Sequence, residues 1–349
     1  MSVQRILVIK IAAIGDLLLI TPALRALRRR YPQAEIDLLV GRWSAPIITG
    51  NPNLHEIITV DDSVFFRCRP FTLLRLIRSL RQRRYDLAVV WHRSLAFRLF
   101  AALLGIRERL GFSRGGNKFG LTLAVEEDPG IHEIMEYQKS LTPLGIRADE
   151  IDMDIALPAA AEQGADEIFG QYGLTEHDPV VAIAPGGGRN PKEVVPLKHW
   201  PREYYAALAD RLISEARARI IFLGNQDDKP IVAEILRRMK QPAIDLSGRS
   251  DLLTMAALIK KCRLFVGNDS APLHIAAAVR TPALSLFGPT QPRELAPLNY
   301  RHRYFYAGRS CSPCYRNGVW PDCQKNQCLA DIKPEEVTVA AKEILNEQR

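Results

Sequence analysis

The 349-residue chain has no run of 18 apolar residues, so no segment reads as a membrane-spanning helix. It has no Gly-x-x-x-x-Gly-Lys-Ser/Thr. The loop after the first predicted strand, Ile11-Ala12-Ala13-Ile14-Gly15-Asp16, holds one glycine where a dinucleotide fold shows Gly-x-Gly-x-x-Gly. P-loop and NAD chemistry therefore lose their main support. Aromatic residues are only 7% of the chain, and they are not interleaved with the basic runs as in an RNA- or DNA-binding module. Residues 1–10 are too charged for a signal h-region, and the apolar stretch 6–20 is broken by Lys10, Gly15 and Asp16. Without an export signal, the six cysteines are not expected to form a secreted disulfide framework; Cys68 and Cys262 stand alone and four cluster near the end. The cytoplasm is the expected compartment.

What is present is the mix of a globular protein, 47% hydrophobic and 25% charged, at a length that suits two domains of about 150 residues. The net charge of +8 is uneven. Residues 1–120 carry 20 Lys and Arg against 8 Asp and Glu, whereas residues 121–349 carry 27 against 31. A balance of +12 in the first third and −4 in the rest points to an anionic partner for the first third.

Short apolar runs at 5–10, 36–40, 57–60 and 87–91, each followed by helical periodicity, predict parallel strands covered on both faces. The first helix is predicted at 16–31. The rhythm restarts after residue 178, with strands at 180–184, 219–223, 243–246, 264–266 and 283–286 and helices at 201–216, 227–239, 251–261 and 270–279. An acidic stretch, 149–158, ends in Leu-Pro and reads as a linker. The expected organisation is α/β: a first domain over 1–158, a second over 159–333, and a closing helix over 334–349.

Ligands of doubly wound sheets bind beyond the carboxyl ends of strands, so the loops there carry the chemistry. Asp16 either caps its helix or faces a ligand. The loop Pro185-Gly186-Gly187-Gly188 lets backbone amides approach an anion, and Lys198-His199-Trp200-Pro201 follows; a flexible loop is the plainer reading. In Gly267-Asn268-Asp269-Ser270, the polar side chains cap the next helix, or its amides hold a phosphate. Two anion-ready loops in one domain strengthen each other.

Three separated stretches together resemble a known family. They are Ile6-Leu7-Val8-Ile9-Lys10 through Gly15-Asp16-Leu17-Leu18-Leu19 to Thr21-Pro22-Ala23-Leu24-Arg25-Ala26-Leu27; Lys198-His199-Trp200-Pro201; and Gly267 through Asp269-Ser270, His274 and Ala278 to Leu286-Phe287-Gly288-Pro289-Thr290. In this order they resemble the family 9 glycosyltransferases, the ADP-heptose:lipopolysaccharide heptosyltransferases. The resemblance implies a GT-B architecture, with two Rossmann-like domains facing across a cleft, an N-terminal acceptor domain and a C-terminal nucleotide-sugar domain. It implies inverting transfer from an ADP-sugar to an anionic lipopolysaccharide inner core, with no metal required for catalysis. Asp16 becomes the base, with Gly15 beside it on the acceptor side. Lys198 and Ser270 contact the donor diphosphate, Asp269 and His274 lie in the same motif, and Gly186 and Gly187 border the donor. Residues 190–197 lengthen the stretch before Lys198 relative to the family pattern.

An acceptor anchored in the inner leaflet fits the basic first third and implies peripheral contact with the inner face of the inner membrane. Arg25, Arg28, Arg29 and Arg30 form one basic run; Arg75, Arg78, Arg81, Arg83 and Arg84 form another; each is otherwise a solvated helix face. Arg93, Arg98 and Arg114, near predicted strand ends, are candidate acceptor contacts. The rival readings are a nucleotide-sugar epimerase of the same architecture and a nucleic-acid-binding protein.

One motif lies outside this scheme: Cys311-x2-Cys314-x8-Cys323-x4-Cys328, beside Pro313, Gly318 and Pro321. A structural zinc would order so short a loop through tetrahedral thiolates. Free thiols or two disulfides are the alternatives.

Overall fold

The computed structural model describes residues 3–66, 69–187, 189–190, 193–298, 301–315, 319–323 and 326–347. Cys68, Gly188 and Gly318 lie outside them. The chain divides into two compact units, Met1–Ala156 and Leu157–Arg349.

Unit 1 runs β1 (Arg5–Ile9), α1 (Ile14–Leu19), α2 (Thr21–Arg30), β2 (Glu35–Gly41), β3 (Glu56–Val60), α3 (Ser63–Phe66), α4 (Pro70–Gln82), β4 (Leu87–Val90), α5 (Leu95–Leu103), β5 (Glu108–Ser113), β6 (Leu123–Glu126) and α6 (Glu133–Lys139). Its six strands are all parallel, in the order β3-β2-β1-β4-β5-β6. The central strands read as continuous apolar runs because helices cover both faces: Ile6, Leu7, Val8 and Ile9 are each fully buried. Each such side chain is worth about 2 kcal/mol of burial.

Unit 2 opens with α7 (Ala159–Gln171) and β7 (Val180–Ala184), then a two-residue antiparallel pair, β8 (Arg189–Asn190) and β9 (Glu193–Val194). It continues through α8 (Arg202–Ala216), β10 (Arg219–Phe222), α9 (Lys229–Arg238), β11 (Ile244–Asp245), α10 (Leu252–Lys260), β12 (Leu264–Asn268), α11 (Ala271–Ala278), β13 (Ala283–Phe287), α12 (Pro292–Leu295), β14 (His302–Tyr306), α13 (Gln327–Ala330) and α14 (Pro334–Glu347). Its parallel sheet has the order β11-β10-β7-β12-β13-β14. Counted within each unit, both sheets have the same order, 3-2-1-4-5-6. The direction of winding therefore reverses between β1 and β4 in unit 1, and between β7 and β12 in unit 2. Those are the topological switch points where such sheets bind ligands.

Four expectations change. The helix predicted at 16–31 is two helices, because Pro22 in the first turn of α2 has no N–H to continue the ladder of α1; the Thr21 hydroxyl donates to Leu18 O at 2.7 Å across the break. Strands β5, β6 and β14 have no counterpart in the sequence reading. β6 and β14 are half-exposed edges and β5 mixes charge with glycine, so none shows a continuous apolar run. Residues 149–158 do not form a free linker. Arg25 donates to Glu150 at 2.5 Å, to Asp154, and to Asp152 O at 2.8 Å, tying the acidic stretch to α2. The closing helix α14 belongs to the unit 2 core, with Val337, Ala341, Ile344 and Leu345 buried in the cluster that holds Leu208 and Leu212 of α8.

Candidate active site

At the unit 2 switch point, the residue that organises the loops is Asn268, the last of β12 and fully buried. Its Nδ2 donates to Pro185 O at 2.9 Å and Gly186 O at 3.1 Å; its Oδ1 accepts from Trp200 N at 3.3 Å and from the Tyr205 hydroxyl at 2.9 Å. A side-chain amide has two donors and two lone pairs, and all are used. Asn268 thus fastens the glycine loop after β7 to the start of α8. Close approach accounts for the glycines: a Cβ on Gly187 would lie 2.5 Å from Ser270 Cβ, at a φ of +98°, and one on Gly186 would lie 2.0 Å from Asp228 Oδ1.

Asp269 is the second buried polar group. Its carboxylate accepts from Lys198 Nζ at 2.7 Å and from the Thr290 hydroxyl at 2.7 Å. Burial alone would raise its pKa, but the charges of Lys198 and His274 and these hydrogen bonds outweigh it and hold the carboxyl below the usual range. Lys198 is thereby positioned at the switch point despite the lengthened stretch before it, and its Nζ lies 5.5 Å over the Trp320 ring.

The three side chains read as caps of α11 do not cap it. Asn268 and Asp269 are turned away as described, and the Ser270 hydroxyl donates to Asn268 O at 3.4 Å; among the described residues the N-cap gives the first turn no side-chain hydrogen bond. The N-terminal dipole end of α11 therefore lies beside Lys198 without a side-chain cap, an arrangement suited to an anion, although Pro272 has no N–H and the Leu273 amide donates to Ser270 O at 3.0 Å. The glycine loop differs from expectation in the other direction, for the Gly187 amide is directed at Asp228 Oδ1, 3.4 Å away.

At the unit 1 switch point, Asp16 lies at the third position of α1, half-buried, and accepts from the Ala13 amide at 3.2 Å. Gly15 is buried one position before it. Lys10, the residue after β1, is itself buried, its Nζ donating to the Tyr137 hydroxyl at 2.5 Å. Burial lowers the pKa of Lys10, opposed by the charges of Asp16 and Glu133. A lysine ending an otherwise apolar strand was the available signal for this group; Tyr137 offered none.

A family model described as glycosyltransferase family 9 (heptosyltransferase) matches residues 73–321. The chain belongs to glycosyltransferase family 9. The lipooligosaccharide heptosyltransferase 2 of Haemophilus ducreyi is 30% identical over 316 residues, 85% of this chain and 86% of that protein. The solved family 9 glycosyl transferase of Veillonella parvula superposes with a TM-score of 0.83 at 24% identity, covering 99% of both chains. Escherichia coli ADP-heptose lps heptosyltransferase II does so at 0.75 and 25%, again over 99% of both. Membership in a transferase family sets aside the epimerase and nucleic-acid readings.

In this glycosyltransferase the expected acceptor arginines differ in their surroundings. Arg93 pairs with Glu133 at 2.7 Å and with Glu136, two of the carboxylates around Lys10 and Tyr137. Arg98 is buried, and its Nη1 donates to Asn117 O at 2.7 Å, so it fastens a loop instead of presenting a charge. Arg114 is exposed after β5. The four clustered cysteines form no disulfide among the described residues; Cys328 is buried, Cys314 half-buried, and Cys311 and Cys323 exposed. Burial first, then the neighbouring thiols Cys314, Cys311 and Cys323, pushes up the pKa of Cys328, so the four share one neighbourhood. Among the described residues, three ligand atoms of His, Cys, Asp or Glu come within 4.8 Å of one another only at Asp37, His55 and Glu56. There the Arg83 guanidinium already bonds both Asp37 and Glu56, filling the place of a cation.

Replacing Asn268 with alanine strands the Tyr205 hydroxyl and the Pro185 and Gly186 carbonyls. At about 1–3 kcal/mol for each buried unsatisfied group, Asn268→Ala is expected to destabilise unit 2 by about 3 kcal/mol. Denaturant unfolding checks this, and a midpoint equal to wild type shows that the loops hold themselves.

Proposed function

We propose that this glycosyltransferase moves a heptose from ADP-heptose to the lipopolysaccharide inner core, on a lipid A-Kdo or heptosyl acceptor, with inversion and without a catalytic metal. The observation that carries the reading is the N-terminus of α11, without a side-chain cap, beside the pair of half-buried Lys198 and buried Asp269. A diphosphate gains charge as the sugar's C1–O bond breaks, and helix amides with a fixed ammonium stabilise that charge. Ser270 and His274 belong to the same cradle, and Asp269 holds Lys198 in it. The kinship with heptosyltransferases named for lipopolysaccharide and ADP-heptose supports the substrate pair.

In this scheme the acceptor hydroxyl attacks the anomeric carbon from the face opposite the departing ADP. Its proton passes to the Asp16 carboxylate, and the electron pair of the broken bond leaves on ADP. Lys10 and Tyr137 fix the electrostatic surroundings of Asp16. No described helix is long and apolar enough to cross a membrane; the enzyme works from the cytoplasmic face as a peripheral protein.

Asp16→Asn separates base from cap, because asparagine still accepts from the Ala13 amide but takes no proton. Turnover is expected to fall about 10²–10⁴-fold with the melting temperature little changed; a folded variant at wild-type rate removes Asp16 from the chemistry. Lys198→Ala is expected to raise the Kd for ADP about 10- to 100-fold by calorimetry. An unchanged Kd would place the diphosphate elsewhere.

The same proposal gives the four thiols a structural zinc. Four thiolates are the right donors in kind, although no three of their sulfurs lie within 4.8 Å of one another, so the metal would have to draw them together; the loop has a fixed base, the Cys314 and Tyr315 amides donating to Pro289 O at 2.9 and 3.0 Å, next to Thr290. Bound metal would hold the stacked Tyr315 and Trp320 rings, 4.1 Å apart, over Lys198. Protein purified without chelators should contain about one equivalent per chain, lost in Cys328→Ser. Metal-free protein under reducing conditions with undiminished ADP affinity ends this part of the proposal.

A further inference from the structure

Helix α4 has two faces of different chemistry. Leu73, Leu76, Ile77 and Leu80 recur at helical spacing and lie against the unit 1 core. The opposite face carries Phe71, 81% exposed and the most exposed large apolar side chain among the described residues, and Leu74 at 61%. Arg75, Arg78 and Arg81 continue the same stripe at about 100° per residue, all exposed. Residues 63–85 hold seven arginines and no aspartate or glutamate. Arg83 is bound to Glu56 and Asp37, and Arg69 lies 3.9 Å from Asp61, but Arg75, Arg78 and Arg81 have no ion pair among the described residues.

The stripe is also oriented. The chain after α4 returns to the amino edge of the sheet, where Asp86 accepts from the amides of Gln4 and Arg5. The first turn of α4, with Phe71 and Leu74, therefore stands at the carboxyl edge, the edge that carries the Lys10–Asp16 loop. Unpaired arginines beside protruding apolar side chains, on a helix whose other face is already buried, match the chemistry of a lipid–water boundary. The cations suit headgroup phosphates and the aromatic and leucine tips suit the acyl margin.

We infer that the outer face of α4 is the docking surface for an anionic bilayer, and that it sets the acceptor edge of unit 1 against the headgroups. This deepens the proposed function and rests on it in one respect, that the acceptor is lipid-borne. An acidic protein or a nucleic acid would meet the arginines, but neither explains an apolar pair at the sheet edge where the acceptor must arrive.

Flotation of the full-length protein with vesicles tests the inference. At about 0.15 M salt, wild type is expected to bind phosphatidylglycerol/phosphatidylethanolamine vesicles and to leave phosphatidylcholine vesicles free. The triple variant Arg75→Gln, Arg78→Gln, Arg81→Gln should bind about 100-fold more weakly, near fivefold per charge. Phe71→Ser with Leu74→Ser should lose at least tenfold. Both variants should melt like wild type and transfer normally to a deacylated, water-soluble acceptor. Equal vesicle binding by variants and wild type overturns the inference, as does no binding by wild type, or binding that an oligonucleotide abolishes while the apolar pair has no effect. Failure of wild type to use the soluble acceptor counts against the transferase substrate alone and leaves the vesicle result to stand.

Discussion

One buried amide shapes the ligand end of unit 2. Asn268 stands where a helix cap is expected, yet its four hydrogen-bonding positions are used by Pro185, Gly186, Trp200 and Tyr205. Leaving any of these groups unpaired in the interior is costly, so β7, β12 and α8 must meet in one arrangement. The first turn of α11 is the counterpart: Asn268 and Asp269 beside it bond elsewhere, and its N-terminus has no side-chain cap.

Charge is distributed by the same rule. Much of the basic surplus of the first third is consumed internally: Arg25 and Arg29 by Glu150, Arg83 by Glu56 and Asp37, and Arg93 by Glu133 and Glu136. Such pairs fasten loops to helices within unit 1. On α4 the exposed arginines are segregated on one face. Charge totals alone could not make that distinction, because they count a guanidinium equally whether it is bonded or bare.

The ammonium groups at the two switch points, Lys10 buried and Lys198 half-buried, are held differently. Lys198 is held by a carboxylate that stays ionised because of it, whereas Lys10 rests on the neutral hydroxyl of Tyr137 with Asp16 and Glu133 supplying the opposing field. The first arrangement presents a fixed positive charge beside helix amides. The second places a lysine whose charged form is disfavoured by burial near the Asp16 carboxylate.

The sequence by itself determined the positions of the strands at the centre of both sheets, the two-unit organisation, and the loops after β1, β7 and β12. Those follow from local periodicity: a fully buried strand must be apolar throughout, and the chain repeats that signal wherever it occurs. The position of Asp16 and Lys198 was legible in the same way, through motifs next to such strands. Edge strands β6 and β14 were not, because partial burial asks for no apolar run. Only tertiary structure decided that Asn268 binds loops and not α11, that Arg98 is buried beneath Asn117, and that Lys198 meets Asp269 across 71 residues of sequence. A polar side chain bonds to whatever groups surround it in space, and those surroundings exist only once the apolar frame has closed.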